Sequence, residues 1–247
     1  MPTPRYRRIL LKLSGEAFRA QQVYGIDYDF LKYIAEEIRS IIELGCQVAI
    51  VVGGGNLLRG SEAALSGLDR ASADYMGMLA TLINSLALQD MLERHGIVTR
   101  CQSALEIKEV AEPFIRRRAI RHLEKGRVVI LAAGTGNPFF STDTAAALRA
   151  LEIKADILIK ATKVDGIYTD DPISNPEARK YAYVNYRDVI AMHLRVMDST
   201  AVSLCMEHEL PIMVIDINQP GQIRRSLVGE PVGSIIGPGE TRLAVPS

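Results

Sequence analysis

Three short apolar segments of this sequence each end in a turn that contains glycine. The turns cover residues 14–15, 53–55 and 134–136. Glycine lets backbone N–H groups come close to phosphate oxygens, and a helix that starts after the turn adds the positive end of its dipole. One such turn is a weak signal, but three that meet at one sheet edge predict a site for phosphate groups. The patterns GxxxxGK[ST] and GxGxxG are absent, so the site follows neither the P-loop nor the dinucleotide-binding design.

Three charged residues accompany these turns. Lys12 lies inside the first apolar segment, where a buried cation costs free energy unless an anion lies beside it; the alternative is an edge lysine that reaches solvent. Arg59 follows the second turn and is suited to clamp a phosphate, although a surface arginine fits equally well. Asp143 stands at a predicted helix start, where it either caps the helix or orients the cations. Backbone cradles with fixed cations are typical of phosphoryl transfer.

A further candidate segment, residues 161–171, follows another apolar run. Its Asp165-Gly166 pair predicts a tight turn. Tyr168 offers a flat ring that suits packing against an adenine base.

Alternating strands and helices must position these residues. Near-continuous apolar runs predict strands that are covered on both faces, and a 3.6-residue apolar period predicts the helices between them. The expected fold class is therefore α/β, a three-layer α/β/α sandwich with a mainly parallel central sheet. We expect one domain over residues 1–247, with the acceptor bound mainly by the N-terminal half and the donor nucleotide by the C-terminal half. The predicted strands are 9–13, 47–52, 98–101, 127–132, 156–160 and 212–217, and the main predicted helices are 31–42, 73–94, 114–125, 142–151 and 199–208.

Charge and composition exclude several classes of protein. The 29 basic and 29 acidic residues give a net charge of zero, so no overall field attracts nucleic acid or an anionic membrane. No uncharged segment reaches the roughly 20 residues that span a bilayer, and the N-terminus lacks the pattern of a signal peptide. The three cysteines are far apart without a CxxC pair, which favours free thiols, no metal site and a cytoplasmic location.

The predicted helix over residues 73–94 has two apolar faces. Met76, Leu79 and Ile83 lie in one stripe, while Leu82 and Leu92 point elsewhere. A helix that is apolar nearly all round must be covered all round. It is therefore either a central core helix or a helix whose outer face forms a contact between subunits.

In this order, the motifs resemble the amino-acid-kinase fold family, and within it the bacterial UMP kinases. The resemblance covers about residues 7–237 and is carried by segments 8–16, 53–60, 74–81, 133–143 and 160–168. Segments 74–81 and 133–143 are specific to the UMP branch. The resemblance implies a nucleoside monophosphate kinase of pyrimidine nucleotide biosynthesis. Such an enzyme transfers the γ-phosphoryl group of ATP to UMP, giving UDP and ADP, with Mg²⁺ accompanying ATP.

The resemblance also implies roles for individual residues. The catalytic residues would be Lys12, Arg59 and Asp143. The ATP-binding residues would be Lys12, Leu13, Ser14, Gly15, Gly55, Arg59, Thr162, Tyr168 and Asp171. The UMP-binding residues would be Gly54, Asp74, Thr135, Gly136, Asn137, Pro138, Phe139, Phe140, Ser141 and Thr142. Asp74 is suited to accept a hydrogen bond from a ribose hydroxyl.

Members of the family are usually homohexamers that GTP activates and UTP inhibits. The segment that matches the family's GTP-response region consists of Ala20, Gln21, Gln22, Val23, Tyr24 and Gly25. The expected partners are therefore ATP, UMP, these two effectors and further copies of the chain. We expect neither a membrane nor a nucleic-acid partner.

Two other functions remain open on the sequence. One is a kinase of the same fold that phosphorylates a carboxylate or carbamate, such as acetylglutamate or aspartate. Asp74 and the Pro138-Phe139-Phe140 segment favour a nucleotide acceptor over this alternative. The other is a module of this fold that senses nucleotides or binds nucleic acid without catalysis.

Overall fold

One twisted β-sheet organises the protein. The computed structural model describes residues 3–19, 24–58, 67–172, 174–194 and 196–245. In this part of the chain the strands are β1 (Arg8–Leu13), β2 (Gln47–Val52), β3 (Thr99–Ser103), β4 (Glu112–Pro113), β5 (Val128–Ala132), β6 (Ile157–Thr162), β7 (Ile167–Tyr168), β8 (Lys180–Asn185), β9 (Ile212–Asp216), β10 (Ser234–Gly237) and β11 (Arg242–Leu243). The helices there are α1 (Tyr28–Glu43), α2 (Arg70–Arg94), α3 (Arg116–Glu124), α4 (Thr142–Glu152), α5 (Tyr186–Ala191), α6 (Ser199–Glu207) and α7 (Gln222–Leu227), with a 3₁₀ helix at Gly15–Arg19.

The centre of the sheet is parallel, as the apolar strands predict. Its order is β11-β8-β10-β9-β6-β1-β2-β5-β3-β4, and β7 pairs with β8. From β9 through β4 every neighbouring pair is parallel, whereas β9–β10, β8–β11 and β7–β8 are antiparallel. The antiparallel pairs therefore lie on one side of the parallel centre.

Helices cover both faces of the sheet. In β1, Ile9, Leu11 and Leu13 pack with α1, α2 and α7, while Leu10 packs on the opposite face with α3, α4, α5 and α6. This alternation follows from the two-residue period of a strand. The predicted three-layer α/β/α sandwich with a mainly parallel sheet is confirmed. No helix in the described ranges is long and apolar enough to cross a membrane.

In the single chain, the structure shows whether α2 is covered on all sides, as a central core helix would be. Leu82 and Leu92 are buried, but Met76, Leu79 and Ile83 keep 43%, 43% and 53% of their surface exposed. The interpretation of α2 as a fully covered core helix is therefore wrong. An outer face that contacts another subunit stays a prediction.

Candidate active site

The three glycine turns meet at one edge of the sheet. They follow β1, β2 and β5, which are neighbours and end at the same side. The first two turns touch: a Cβ added at Gly15 would lie 2.4 Å from the Gly55 nitrogen and 2.8 Å from the Gly53 carbonyl carbon. The predicted convergence of the turns is confirmed. The close approach of the first two turns requires glycine at these positions, because a side chain would collide with backbone atoms.

We expect Gly15→Ala to lower the free energy of unfolding by about 1–3 kcal/mol, because backbone atoms must move apart to admit the methyl group. Gly77→Ala is the matched control. Gly77 lies inside α2 with nothing within 4 Å of an added Cβ, so alanine should stabilise the helix by roughly 0.5–1 kcal/mol. Urea unfolding of both variants checks the pair. A Gly15→Ala protein as stable as the wild type would contradict the close contact.

Two buried lysines and one carboxylate lie beside these turns. Lys12 and Lys160 are register partners on the adjacent parallel strands β1 and β6. Lys12 Nζ lies 2.9 Å from Asp143 Oδ1, and Lys160 Nζ lies 2.7 Å from Asp143 Oδ2. Ser141 caps α4 by accepting from the Thr144 N–H. Asp143 is therefore not the cap of this helix but the link between the two cations.

The electrostatics of this cluster follow from its burial. The side chains of Lys12, Asp143 and Lys160 are only 9%, 14% and 14% exposed. Burial alone would raise the pKa of Asp143, but the two ammonium groups outweigh it and lower that pKa below its ordinary value. Burial, together with the nearby Lys12, lowers the pKa of Lys160 against the opposing effect of Asp143. Asp143 is thus held as a carboxylate between two cations.

Lys160 was missed as a site residue in the sequence. It occurs at the end of the apolar run 156–160, and a lysine inside a buried strand is the same signal that singled out Lys12. What the sequence lacks is the pairing order of the strands, which puts β6 directly beside β1.

Polar residues of α2 hold the second and third turns. Asn84 is fully buried and donates to the Gly53 carbonyl at 2.7 Å, and its side chain also pairs with that of Asn56. Thr81 Oγ1 accepts from the Ala133 N–H at 2.9 Å. These two α2 residues interrupt an apolar helix because they satisfy backbone groups of the turns. Thr81 ends the segment 74–81 that carries the resemblance, and Asn84 lies outside it; neither was predicted as a site residue.

A cavity of about 270 Å³ opens between α2 and the turn after β5. Asp74 lies in its wall, accepting from Arg70 Nε at 3.0 Å and from the Phe139 N–H at 2.8 Å. Phe139 itself is 69% exposed and has a positive φ of 72°. Of the predicted UMP-binding residues, those that line this cavity are Gly54, Asp74, Thr135, Asn137, Phe140, Ser141 and Thr142. Gly136, Pro138 and Phe139 lie in the same loop outside the lining, and Gly55, predicted for ATP, also lines the cavity.

A buried arginine binds the start of the loop that follows β5. Arg149 of α4 donates to the carbonyls of Gly134 and Thr135 at 3.2 and 3.4 Å, and it pairs with Glu152 at 2.6 Å. Its guanidinium lies 4.1 Å from the centre of the Phe114 ring. The planar group thus combines hydrogen bonds with stacking in a way that lysine does not reproduce.

We expect Arg149→Lys to speed amide hydrogen exchange in residues 134–140 by about tenfold or more. Lysine keeps the positive charge but loses the planar guanidinium, which bonds to two carbonyls and stacks on the Phe114 ring. Arg121→Lys, on the exposed face of α3, is the control and should leave exchange in this loop unchanged. Exchange measured by mass spectrometry on both variants checks this. Equal protection in the Arg149→Lys protein and the wild type would show that the loop does not depend on the clamp.

A larger cavity of about 680 Å³ lies on the other side of the cluster, beyond β6. Its lining includes the predicted Thr162, Tyr168 and Asp171, together with Lys160 and Val196. Of the other predicted ATP-binding residues, Lys12, Leu13, Ser14 and Gly15 do not line it. The Leu13 side chain is fully buried in the core, so only its backbone is available to a ligand.

The wall of this cavity is fixed by Asp165. Its carboxylate accepts from the Tyr168 hydroxyl at 2.7 Å and from Lys180 Nζ at 2.8 Å. Burial and the Asp165 carboxylate raise the pKa of Tyr168 to about 12. Tyr168 therefore stays a neutral hydrogen-bond donor, and its ring is held in place at the cavity.

Several predicted residues fall outside the described ranges, namely Arg59 and Ala20, Gln21, Gln22 and Val23. Tyr24 and Gly25, at the end of the same predicted segment, are described. Gly25 exchanges hydrogen bonds with Asn56: its N–H donates to the Asn56 carbonyl at 3.3 Å, and its carbonyl accepts from Asn56 Nδ2 at 2.7 Å. The end of this segment is therefore tied to the second turn.

Within the described residues, no three His, Cys, Asp or Glu side chains are grouped to hold a metal ion. Asp143, the carboxylate at the centre, already pairs with two lysines. These residues do not fit a protein-held metal centre. The site offers cations and backbone N–H groups, which suit phosphate oxygens.

A mainly parallel sheet, two cavities near its glycine turns and a lysine–aspartate–lysine cluster are features that suit phosphorylated ligands. Residues 7–216 match the model of the amino acid kinase family. The chain belongs to this family.

Three solved structures with a similar fold are UMP or uridylate kinases. The chain is 40% identical to the UMP kinase of Bacillus anthracis with a TM-score of 0.95, over 97% of this chain and 99% of that one. The chain is 36% identical to the UMP kinase of Ureaplasma parvum with a TM-score of 0.88, over 94% of this chain and 99% of that one. The uridylate kinase of Archaeoglobus fulgidus is 29% identical with a TM-score of 0.73, over 93% and 99% of the two chains. The resemblance found in the sequence is confirmed.

Proposed function

We propose that this protein is a UMP kinase, which transfers the γ-phosphoryl group of ATP to UMP and releases ADP and UDP. The observation that carries the proposal is the similarity to UMP kinases over almost the whole chain, at 40% identity. The two cavities support it, since one reaction needs a donor and an acceptor nucleotide. The pathway served is the synthesis of pyrimidine nucleotides.

At the transferred phosphoryl group, we assign catalysis to Lys12, Arg59 and Asp143. Lys12 and Arg59 stabilise the charge that develops on the phosphoryl oxygens, and Asp143 orients the lysine. The burial of the Lys12–Asp143 pair supports these roles, because a cation that is kept out of water interacts more strongly with a phosphate. The backbone of residues 13–15 and Gly55 would hold the ATP phosphates.

The two nucleosides are assigned to the two cavities. Thr162, Tyr168 and Asp171 would bind the nucleoside of ATP, supported by their place in the wall of the larger cavity. Gly54, Asp74 and residues 135–142, which we call the acceptor loop, would bind UMP, supported by their place at the smaller cavity. We propose a single domain of residues 1–247, in which the N-terminal half serves mainly UMP and the C-terminal half mainly ATP.

Mg²⁺ enters the proposal only as part of the ATP substrate. The described residues offer no metal-binding group of three side chains, so no step is assigned to a metal that the protein itself holds. ATP carries Mg²⁺ on its phosphates, and the protein supplies lysines and backbone donors around them.

We further propose a cytoplasmic homohexamer that GTP activates and UTP inhibits. The exposed stripe of Met76, Leu79 and Ile83 supports a contact between subunits, since apolar side chains in a row favour burial. The two hydrogen bonds between Gly25 and Asn56 support the assignment of residues 20–25 to effector response.

An assay of ADP release with ATP and Mg²⁺ tests the function. We expect turnover chiefly with UMP among UMP, CMP and AMP, and little or none with acetylglutamate or aspartate, because the acceptor loop and Asp74 favour a nucleotide. Addition of GTP should raise the rate and addition of UTP should lower it. Turnover with an amino-acid substrate but not with UMP would overturn the assignment of UMP as the acceptor. No turnover with any substrate would overturn the assignment of kinase activity.

We expect Lys12→Met to lower kcat at least about 100-fold, because the methionine keeps the packing but removes the cation beside the phosphoryl group. Asp143 keeps Lys160 as its partner in this variant, so the fold should survive. Lys32→Met, at an exposed lysine of α1, is the control and should keep the wild-type kcat. Steady-state kinetics with circular dichroism checks both. A Lys12→Met enzyme within tenfold of the wild type would remove Lys12 from the mechanism.

A further inference from the structure

Lys160 is the third member of the buried cluster and has no assigned role. It stands directly beside Lys12 across the β1–β6 pair, donates to Asp143 Oδ2 at 2.7 Å and also donates to the Val196 carbonyl. Both hydrogen-bond acceptors, the Asp143 carboxylate and the Val196 carbonyl, belong to the protein itself. Lys160 is therefore held in one position before any ligand binds.

The cluster carries a surplus of positive charge because of Lys160. Lys12 and Asp143 alone would form a neutral pair, and a neutral pair attracts a phosphate weakly. With Lys160 the three side chains sum to one positive charge in a region that is largely closed to water. In such surroundings one unit of charge acts strongly on a neighbouring anion.

Lys160 and Lys12 each have a different nearest oxygen of Asp143. Lys160 Nζ lies 2.7 Å from Oδ2, and Lys12 Nζ lies 2.9 Å from Oδ1. An ammonium group has three N–H donors, so an Asp143 that is held in this way leaves donors of Lys12 for a phosphate. Without Lys160 the carboxylate is free to turn both oxygens toward Lys12.

We propose that Lys160 is a positioning residue for phosphoryl transfer: it holds Asp143 by one oxygen and supplies the surplus charge that keeps Lys12 available to the transferred group. The proposal rests on the proposed function, since it concerns the same reaction. Lys160 also lines the larger cavity, so direct contact with an ATP phosphate is the competing role. The two roles differ in whether Lys160 needs Asp143.

The test compares the wild type, Lys160→Met, Lys160→Arg, Asp143→Asn and the double variant Lys160→Met/Asp143→Asn in the UMP assay. We expect Lys160→Met to lower kcat about 100-fold while the KM values for ATP and UMP change less than threefold. Lys160→Arg keeps the charge and should recover at least a tenth of the wild-type kcat. In the Asp143→Asn background, Lys160→Met should change kcat less than threefold, because its partner is already gone.

Each other result is decisive. Equal losses from Lys160→Met with and without Asp143 would show that Lys160 acts on the nucleotide directly and would overturn the positioning role. A Lys160→Met enzyme with the wild-type kcat would overturn the inference while the wild type still proves the kinase. A wild type without UMP kinase activity would overturn the proposed function and this inference together. If Lys160→Met fails to fold in urea titrations, Lys160→Arg carries the test, and a loss of more than tenfold in its kcat would contradict a role for charge.

Discussion

One carboxylate shared between two buried lysines is the interaction on which the site depends. Asp143 lies at the start of α4, and the lysines lie on β1 and β6. The two contacts therefore join a helix to two central strands at the edge where the glycine turns meet. A buried charge without a partner costs several kcal/mol, so the position of α4 over the sheet and the pairing of the cluster support each other.

Helix α2 links this centre to the rest of the molecule. On its inner side Thr81 and Asn84 bind backbone groups of the turns, and near its start Asp74 binds the acceptor loop. On its outer side Met76 and Ile83 are exposed. Burial of that outer stripe by another subunit would act on a helix that already holds the acceptor loop. A subunit contact on that stripe would lie one helix thickness from the loop that Asp74 binds.

The sequence predicted what periodicity and local chemistry encode. The six apolar strands, the glycine turns and Lys12 all carry such signals, and the structure contains them. The short strands β7 and β11 have only two residues each, and β8 mixes polar with apolar residues, so no apolar run marks them. Thr81, Asn84 and Arg149 act on backbone groups far away in the chain, and only the pairing of elements shows their purpose. Lys160 had a visible signal, but its meaning depends on strand order.

The close contacts among the glycine turns leave little freedom to alter the site by substitution. A Cβ on Gly15 would collide with Gly55, and one on Gly54 would lie 2.8 Å from the Gly77 carbonyl oxygen. The acceptor loop is different, because Phe139 and Phe140 expose 69% and 53% of their surface. A descendant of this protein that accepts another substrate would therefore keep the first two turns and change the loop.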